Sequence, residues 1–118
     1  MGTYNYNNKI SGFQKNSKTL IAVVYDASEN LMDITSYDAS LYMQKYPIRS
    51  GQPIDVSISQ SSKDASAGSF LFNLSSSNLN LTAGDYVYEI IIDDGSTNRY
   101  TVIQDKFNLN DSILWLSR

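Results

Sequence analysis

Leu81-Thr82-Ala83-Gly84-Asp85-Tyr86-Val87-Tyr88-Glu89-Ile90-Ile91-Ile92-Asp93-Asp94-Gly95-Ser96-Thr97-Asn98-Arg99-Tyr100-Thr101-Val102-Ile103-Gln104-Asp105-Lys106-Phe107-Asn108-Leu109 is the stretch that decides the fold. In its first half Tyr86, Tyr88, Ile90 and Ile92 share one parity, while Val87, Glu89, Ile91 and Asp93 share the other, the alternation of a strand with one face on a core. The Asp, Gly and Asn of residues 94–98 tolerate the left-handed backbone angles of a tight turn, so Asp85 to Asp93 and Arg99 to Leu109 are predicted to form a hairpin. The second strand changes phase. Tyr100 and Val102 lie on one parity and Phe107 and Leu109 on the other, so all four point inward only if one extra residue is inserted. A β-bulge near Gln104 and Asp105 would supply it.

Working outward, alternating or β-branched runs predict further strands at Lys9 to Phe13, Thr19 to Tyr25, Ala39 to Lys45, Ile54 to Ser59 and Ser69 to Leu74. The chain holds 18 Ser and 11 Asn, clustered between these runs as turn material and not gathered into one tail. Residues 59–69, rich in Ser with Lys63, Asp64 and Gly68, read as a flexible inter-strand loop. About seven short strands in 118 residues predict an all-β chain, a single immunoglobulin-like antiparallel β-sandwich domain over residues 1–118, with 1–8 and 111–118 as possible partner-contacting ends. Gly84, one spacer and Tyr86 at the start of a strand match the tyrosine corner of such sandwiches, in which the phenol bonds back to upstream backbone. The alternative is simply a Tyr-rich strand.

Composition removes most chemistry. The chain contains no His and no Cys, which excludes imidazole bases, Ser-His and Cys-His pairs, thiolate nucleophiles, disulfides and zinc fingers. A net charge of −3 does not signal the phosphate-neutralising surface of a nucleic-acid binder. No apolar stretch approaches the roughly 18 residues of a membrane-spanning helix, and residues 1–8 lack the apolar core of a secretory signal. No catalytic residue, cofactor site or metal site is therefore predicted. Three Asn-x-Ser/Thr matches, at Asn73, Asn80 and Asn110, are what a chain this rich in Ser and Asn produces by chance.

The segments Leu81 to Ile90, Asp94-Gly95 and Arg99 to Phe107 together resemble the last hairpin of small immunoglobulin-like domains in tailed-phage virion proteins, nearest to the N-terminal domain of phage baseplate upper proteins. There a "G-[DT]-Y-x-Y-[DE]" strand leads through a short turn to "Y-T-[VI]" and "G-x-F". Upstream, Leu20 to Tyr25, the polar turn 26–30 and Leu31-Met32-Asp33-Ile34-Thr35 follow the same order of elements. Asp105 stands where that family usually has Gly, so a bulge at that place would have to form without glycine. The resemblance implies a non-enzymatic bacteriophage virion structural protein. It would be a capsid accessory (decoration) or tail/baseplate protein, present in multiple copies or as a homo-oligomer, assembled in the host cytoplasm and acting by protein-protein attachment, with no nucleic-acid or membrane partner.

The residues that would make the attachment are Tyr4 and Tyr6 near one end and Ile113, Leu114, Trp115 and Leu116 near the other, because chain ends without a partner are rarely this aromatic and apolar. The alternative is that these ends pack on their own sandwich. A different class of function, a carbohydrate-binding module for host or glycan adhesion, would use Tyr37, Tyr42 and Tyr46 as a stacking platform. Asp93 to Asn98 offers part of a calcium loop but lacks the far Glu of such a cage, and reads as a turn. Asp26, Glu29, Asp33 and Asp38 read as solvated loop charges and not as a glycosidase pair.

Overall fold

The computed structural model describes residues 10–13, 16–26 and 28–111. In chain order the strands are β1 (Ile10–Phe13), β2 (Lys18–Val23), β3 (Asp38–Lys45), β4 (Val56–Ser59), β5 (Ser62–Asp64), β6 (Ser69–Leu74), β7 (Gly84–Asp93) and β8 (Arg99–Asn110), with one 3-10 turn at Ala65–Ala67. The hairpin anticipated at residues 85–109 is β7–β8, paired from Gly84 with Leu109 to Asp93 with Arg99. Its inward faces are Tyr86, Tyr88, Ile90 and Ile92 from β7 and Val102, Phe107 and Leu109 from β8, each no more than 3% exposed.

The extra residue that this arrangement needs is present, but at a different place. Ile90 pairs with Ile103 and Ile91 with Thr101, so Val102 is the inserted residue, two positions before Gln104. Two residues of β8 then oppose one step of β7, and the inward parity switches from even to odd numbers. Downstream of the bulge Asp105 pairs with Tyr88. Burial, reinforced by the Asp105 carboxylate, pushes the Tyr88 hydroxyl up to about 12.

The strands form a five-stranded sheet in the order β1-β8-β7-β3-β4 and a three-stranded sheet in the order β2-β6-β5. Leu20, Ala22, Phe70, Phe72 and Leu74 of the smaller sheet face Leu41, Met43, Tyr88, Ile90 and Phe107 of the larger one in a single core. This is an immunoglobulin-like β-sandwich. Two details depart from the expectation. Eight strands occur among the described residues, where about seven are expected, and the sheets are not wholly antiparallel, since β1 runs parallel to β8 with Ile10 beside Phe107 and Phe13 beside Asn110.

The eighth strand comes from the segment read as a flexible loop. Lys63, at the centre of β5, donates through Nζ to the carbonyls of Tyr37, Thr35 and Ile34 at 2.7, 3.0 and 3.3 Å, and lies 3.6 Å from the Asp38 carboxylate. One ammonium thus satisfies three backbone acceptors of the β2–β3 connection, which composition could not reveal. Asp64 then caps the 3-10 turn by accepting from the Ser66 and Ala67 amides, and Gly68 ends it in the left-handed region at φ 60°. A Cβ on Gly68 would sit 3.3 Å from two backbone oxygens, those of Met32 and Val24.

Gly68→Ala is expected to destabilise the domain by about 1–3 kcal/mol, because an L side chain is strained at that φ and its neighbours are backbone; the shift in urea midpoint measures it. Tyr88 sets a second expectation. Its hydroxyl ionises near pH 10 in the unfolded chain and at about 12 in the folded one. Its contribution is therefore full below pH 10 and lost as pH rises towards 12, where the unfolded state gives up the proton first. Tyr88→Phe should flatten the fall of stability between pH 10 and 12 by close to one proton, read from denaturant titrations across that range.

Candidate functional site

On β3 and β7 the residues that alternate with the core face the outside of the five-stranded sheet. Tyr42 and Gln44 from β3, Val87 and Glu89 from β7 and Gln104 from β8 form a floor, and Ile48 and Ile54 of the β3–β4 connection rise over it to leave a groove of about 340 Å³. Gln104 Nε2 donates to Glu89 Oε1 at 2.9 Å across this floor. The connection is held by its own polar groups: Gln44 Nε2 donates to Gln52 O at 2.7 Å, Gln52 Nε2 to Lys45 O at 2.8 Å, and the Arg49 amide to Gln52 Oε1 at 3.0 Å. Ile48 and Ile54 are half exposed, at 51% and 52%. The predicted strand from Ile54 starts only at Val56, because Ile54 belongs to this overhang.

A second apolar strip runs along the outside of the smaller sheet. Ile21 (65% exposed) and Val23 (37%) project from β2, and Tyr25, bridged to Leu31, continues the strip beyond the strand. These residues were not singled out in the sequence as surface residues. The alternation of β2 carried the signal, since Leu20, Ala22 and Val24 take the inner parity and leave Ile21 and Val23 outside.

Tyr4, Tyr6, Ile113, Leu114, Trp115 and Leu116 lie outside the described residues. The elements they connect to are well placed, however. β1 and β8 are neighbours at one edge of the larger sheet, so the chain enters at Ile10 and leaves at Asn110 along the same edge. Gly84 and Tyr86 meet their geometric requirement in the described part. Gly84 adopts φ 145°, a Cβ there would come within 3.4 Å of Lys45 Nζ, and Tyr86 donates its hydroxyl to Thr82 O at 2.6 Å. Lys45 Nζ lies 5.4 Å from the centre of the Tyr86 ring.

The three tyrosines of the glycan platform do not come together. Tyr42 lines the groove, and Tyr46 is 45% exposed at the start of the β3–β4 connection with Lys106 Nζ 4.4 Å from its ring centre. Tyr37 precedes the opposite end of β3, roughly 30 Å from Tyr46 at the rise of a strand, and packs on Tyr100 with ring centres 6.3 Å apart.

The loop carboxylates serve their own turns. Asp26 accepts from the Ser28 and Asn30 amides, Asp33 from Thr35, Asp93 from Gly95 and Arg99, and Asp94 from Ser96 and Asn98. These bonds hold the Asp33, Asp93 and Asp94 carboxyls below the usual carboxylate range. Among the described residues no three acidic groups converge as metal ligands.

No family model matches the chain, and no curated protein matches it. Among solved structures the chain is similar to the soluble domain of PmoD from Methylocystis sp. (Rockwell), at a TM-score of 0.45 and 15% identity over 89% of this chain and 79% of that one. It is also similar to the fibronectin(III)-like modules of CbhA from Clostridium thermocellum, at 0.44 and 10% identity over 95% and 99% of the two chains. The assignment of the sandwich rests on its strand order and register.

Tyr86→Phe should cost about 1 kcal/mol, the net value of one intramolecular hydrogen bond, and lower Tm by a few degrees without changing the far-ultraviolet spectrum. An unchanged Tm would mean that the bond to Thr82 contributes nothing in solution.

Proposed function

We propose that this chain is a non-enzymatic structural protein of a phage virion, an accessory of the capsid or the tail and baseplate that works by attaching to other virion proteins. The observation that carries the reading is the placement of the chain ends. Both segments singled out for their aromatic and apolar content, residues 1–8 and 111–118, connect to the β1–β8 edge of the larger sheet, so one side of the domain can present both to a partner. The resemblance of Gly84 to Phe107 to the hairpin of phage immunoglobulin-like domains supplies the virion context, and the folded stretch is the β7–β8 hairpin with its one bulge. Ile48 and Ile54 around the groove add apolar surface of the kind that partners cover. A small sandwich whose loop carboxylates are spent on its own turns has its surface left for attachment.

A second reading, glycan binding, draws on Tyr42, which lines the groove beside Gln44, Glu89 and Gln104, since a ring next to fixed amide and carboxylate groups suits a sugar. Tyr37 has no part in it.

The attachment reading is tested with particles. The full chain should co-sediment with purified virions or tails through a density gradient, and deletion of residues 111–118 should abolish this while leaving Tm within a few degrees of the parent. A chain that stays free of particles overturns the reading. A deletion that lowers Tm steeply shows instead that the C-terminal segment packs on its own domain. Saturable binding on a glycan array, lost in Tyr42→Ala, would favour the second reading.

A further inference from the structure

We propose that β2 is a self-association edge: a second copy of this chain adds its own β2 antiparallel to the first, joining the two three-stranded sheets across a two-fold axis. The inference goes beyond the virion reading and does not depend on it.

Backbone geometry gives the first reason. The Val24 amide donates to Gly68 O at 2.9 Å, on the side of the neighbouring strand β6. Alternate residues of a strand direct their N–H and C=O groups to opposite sides, so Leu20, Ala22 and Val24 serve β6 while Thr19, Ile21 and Val23 present theirs to the other side. Among the described residues no strand pairs there.

Comparison with the other sheet edges gives the second. β5 is three residues long and carries Lys63 and Asp64, while β1 and β4 are four residues each. Short and charged edges are the usual protection against strand addition. β2 has six residues, no Pro, and a charge only at Lys18, with Ile21 the most exposed of the large exposed hydrophobics.

Self-complementarity identifies the occupant. In an antiparallel pair centred on Ala22, Ile21 faces the partner's Val23, Thr19 faces the partner's Tyr25, and Lys18 faces the partner's Asp26, with each contact repeated by the two-fold axis. Lys18 and Asp26 bring opposite charges together, and Asp26 is fixed in position by the Ser28 and Asn30 amides at 2.9 and 3.0 Å. Ala22, a small residue, then meets its own copy in the closely spaced type of pair, where Cα atoms approach to about 4.5 Å. The outward strip of Ile21 and Val23 becomes continuous across the seam, as an isologous interface requires.

Sedimentation velocity on the full chain over a concentration series tests this, together with amide hydrogen exchange of β2. The expected results are a concentration-dependent dimer, protection of the Ile21 and Val23 amides that rises with concentration, and roughly tenfold or greater weakening of the dimer in Ile21→Lys. The side chain points to solvent, so the variant should keep the parent Tm in dilute solution. A chain that stays monomeric at every concentration overturns the proposal. So does equal protection of Ile21 and Val23 in the dilute monomer, which would mean that the chain covers this edge itself, and so does a dimer that Ile21→Lys leaves intact. Particle co-sedimentation reads a different surface, so either proposal can fail without the other.

Discussion

The inserted residue at Val102 is the constraint on which the rest of the sandwich depends. β7 supplies an unbroken inward row, Tyr86, Tyr88, Ile90 and Ile92, whereas β8 carries its apolar residues on two different parities. Without the bulge either Val102 or the pair Phe107 and Leu109 would face water, at a cost of roughly 1.5–3 kcal/mol for each large side chain left exposed. The bulge keeps all of them inside and sets where the end of β8 lies. β1 pairs with that end, so the same inserted residue fixes the edge from which both chain termini depart.

Polar side chains organise the connections between strands. Lys63 ties down three carbonyls of the β2–β3 connection from the opposite edge of the smaller sheet, and Asp26, Asp33, Asp64, Asp93 and Asp94 each close a turn by accepting from amides just downstream. These five of the twelve acidic residues are thus turn-builders, a local use of a carboxylate that needs no ligand. The two outer faces, by contrast, keep Ile21, Val23, Ile48 and Ile54 in contact with water, and those faces are where partners have something to bury.

The proposed attachment and the proposed self-association would use separate parts of this body. The termini leave by the edge of the larger sheet, while β2 bounds the smaller one and carries its own apolar strip. A copy could therefore engage a scaffold through one surface and another copy through the other, which suits a component that works in multiple copies.

Much of the fold was legible in the residues. β3, β6 and β7–β8 lie within one residue of where alternation and turn chemistry put them, and the parity conflict in β8 by itself required a bulge. The position of the bulge was not legible, because Gln104-Asp105 and Val102 satisfy the parity equally and the choice is made by the β7 residues they must pair with. β5 was hidden for a related reason: Ser62, Lys63 and Asp64 have the composition of a loop, and they become a strand by pairing with β6 while the Lys63 ammonium anchors on carbonyls 26 to 29 residues upstream. The parallel course of β1 along β8 and the separation of Tyr37 from Tyr46 likewise follow from long-range pairing. By itself, then, the sequence determined the class of fold, the hairpin, the need for a bulge and the absence of imidazole and thiol chemistry, since these depend on side-chain type and local period. Only the tertiary structure decided which strands lie at the sheet edges, which isoleucines remain in water and that β1 lies beside β8, because those are properties of pairs of residues far apart in the chain.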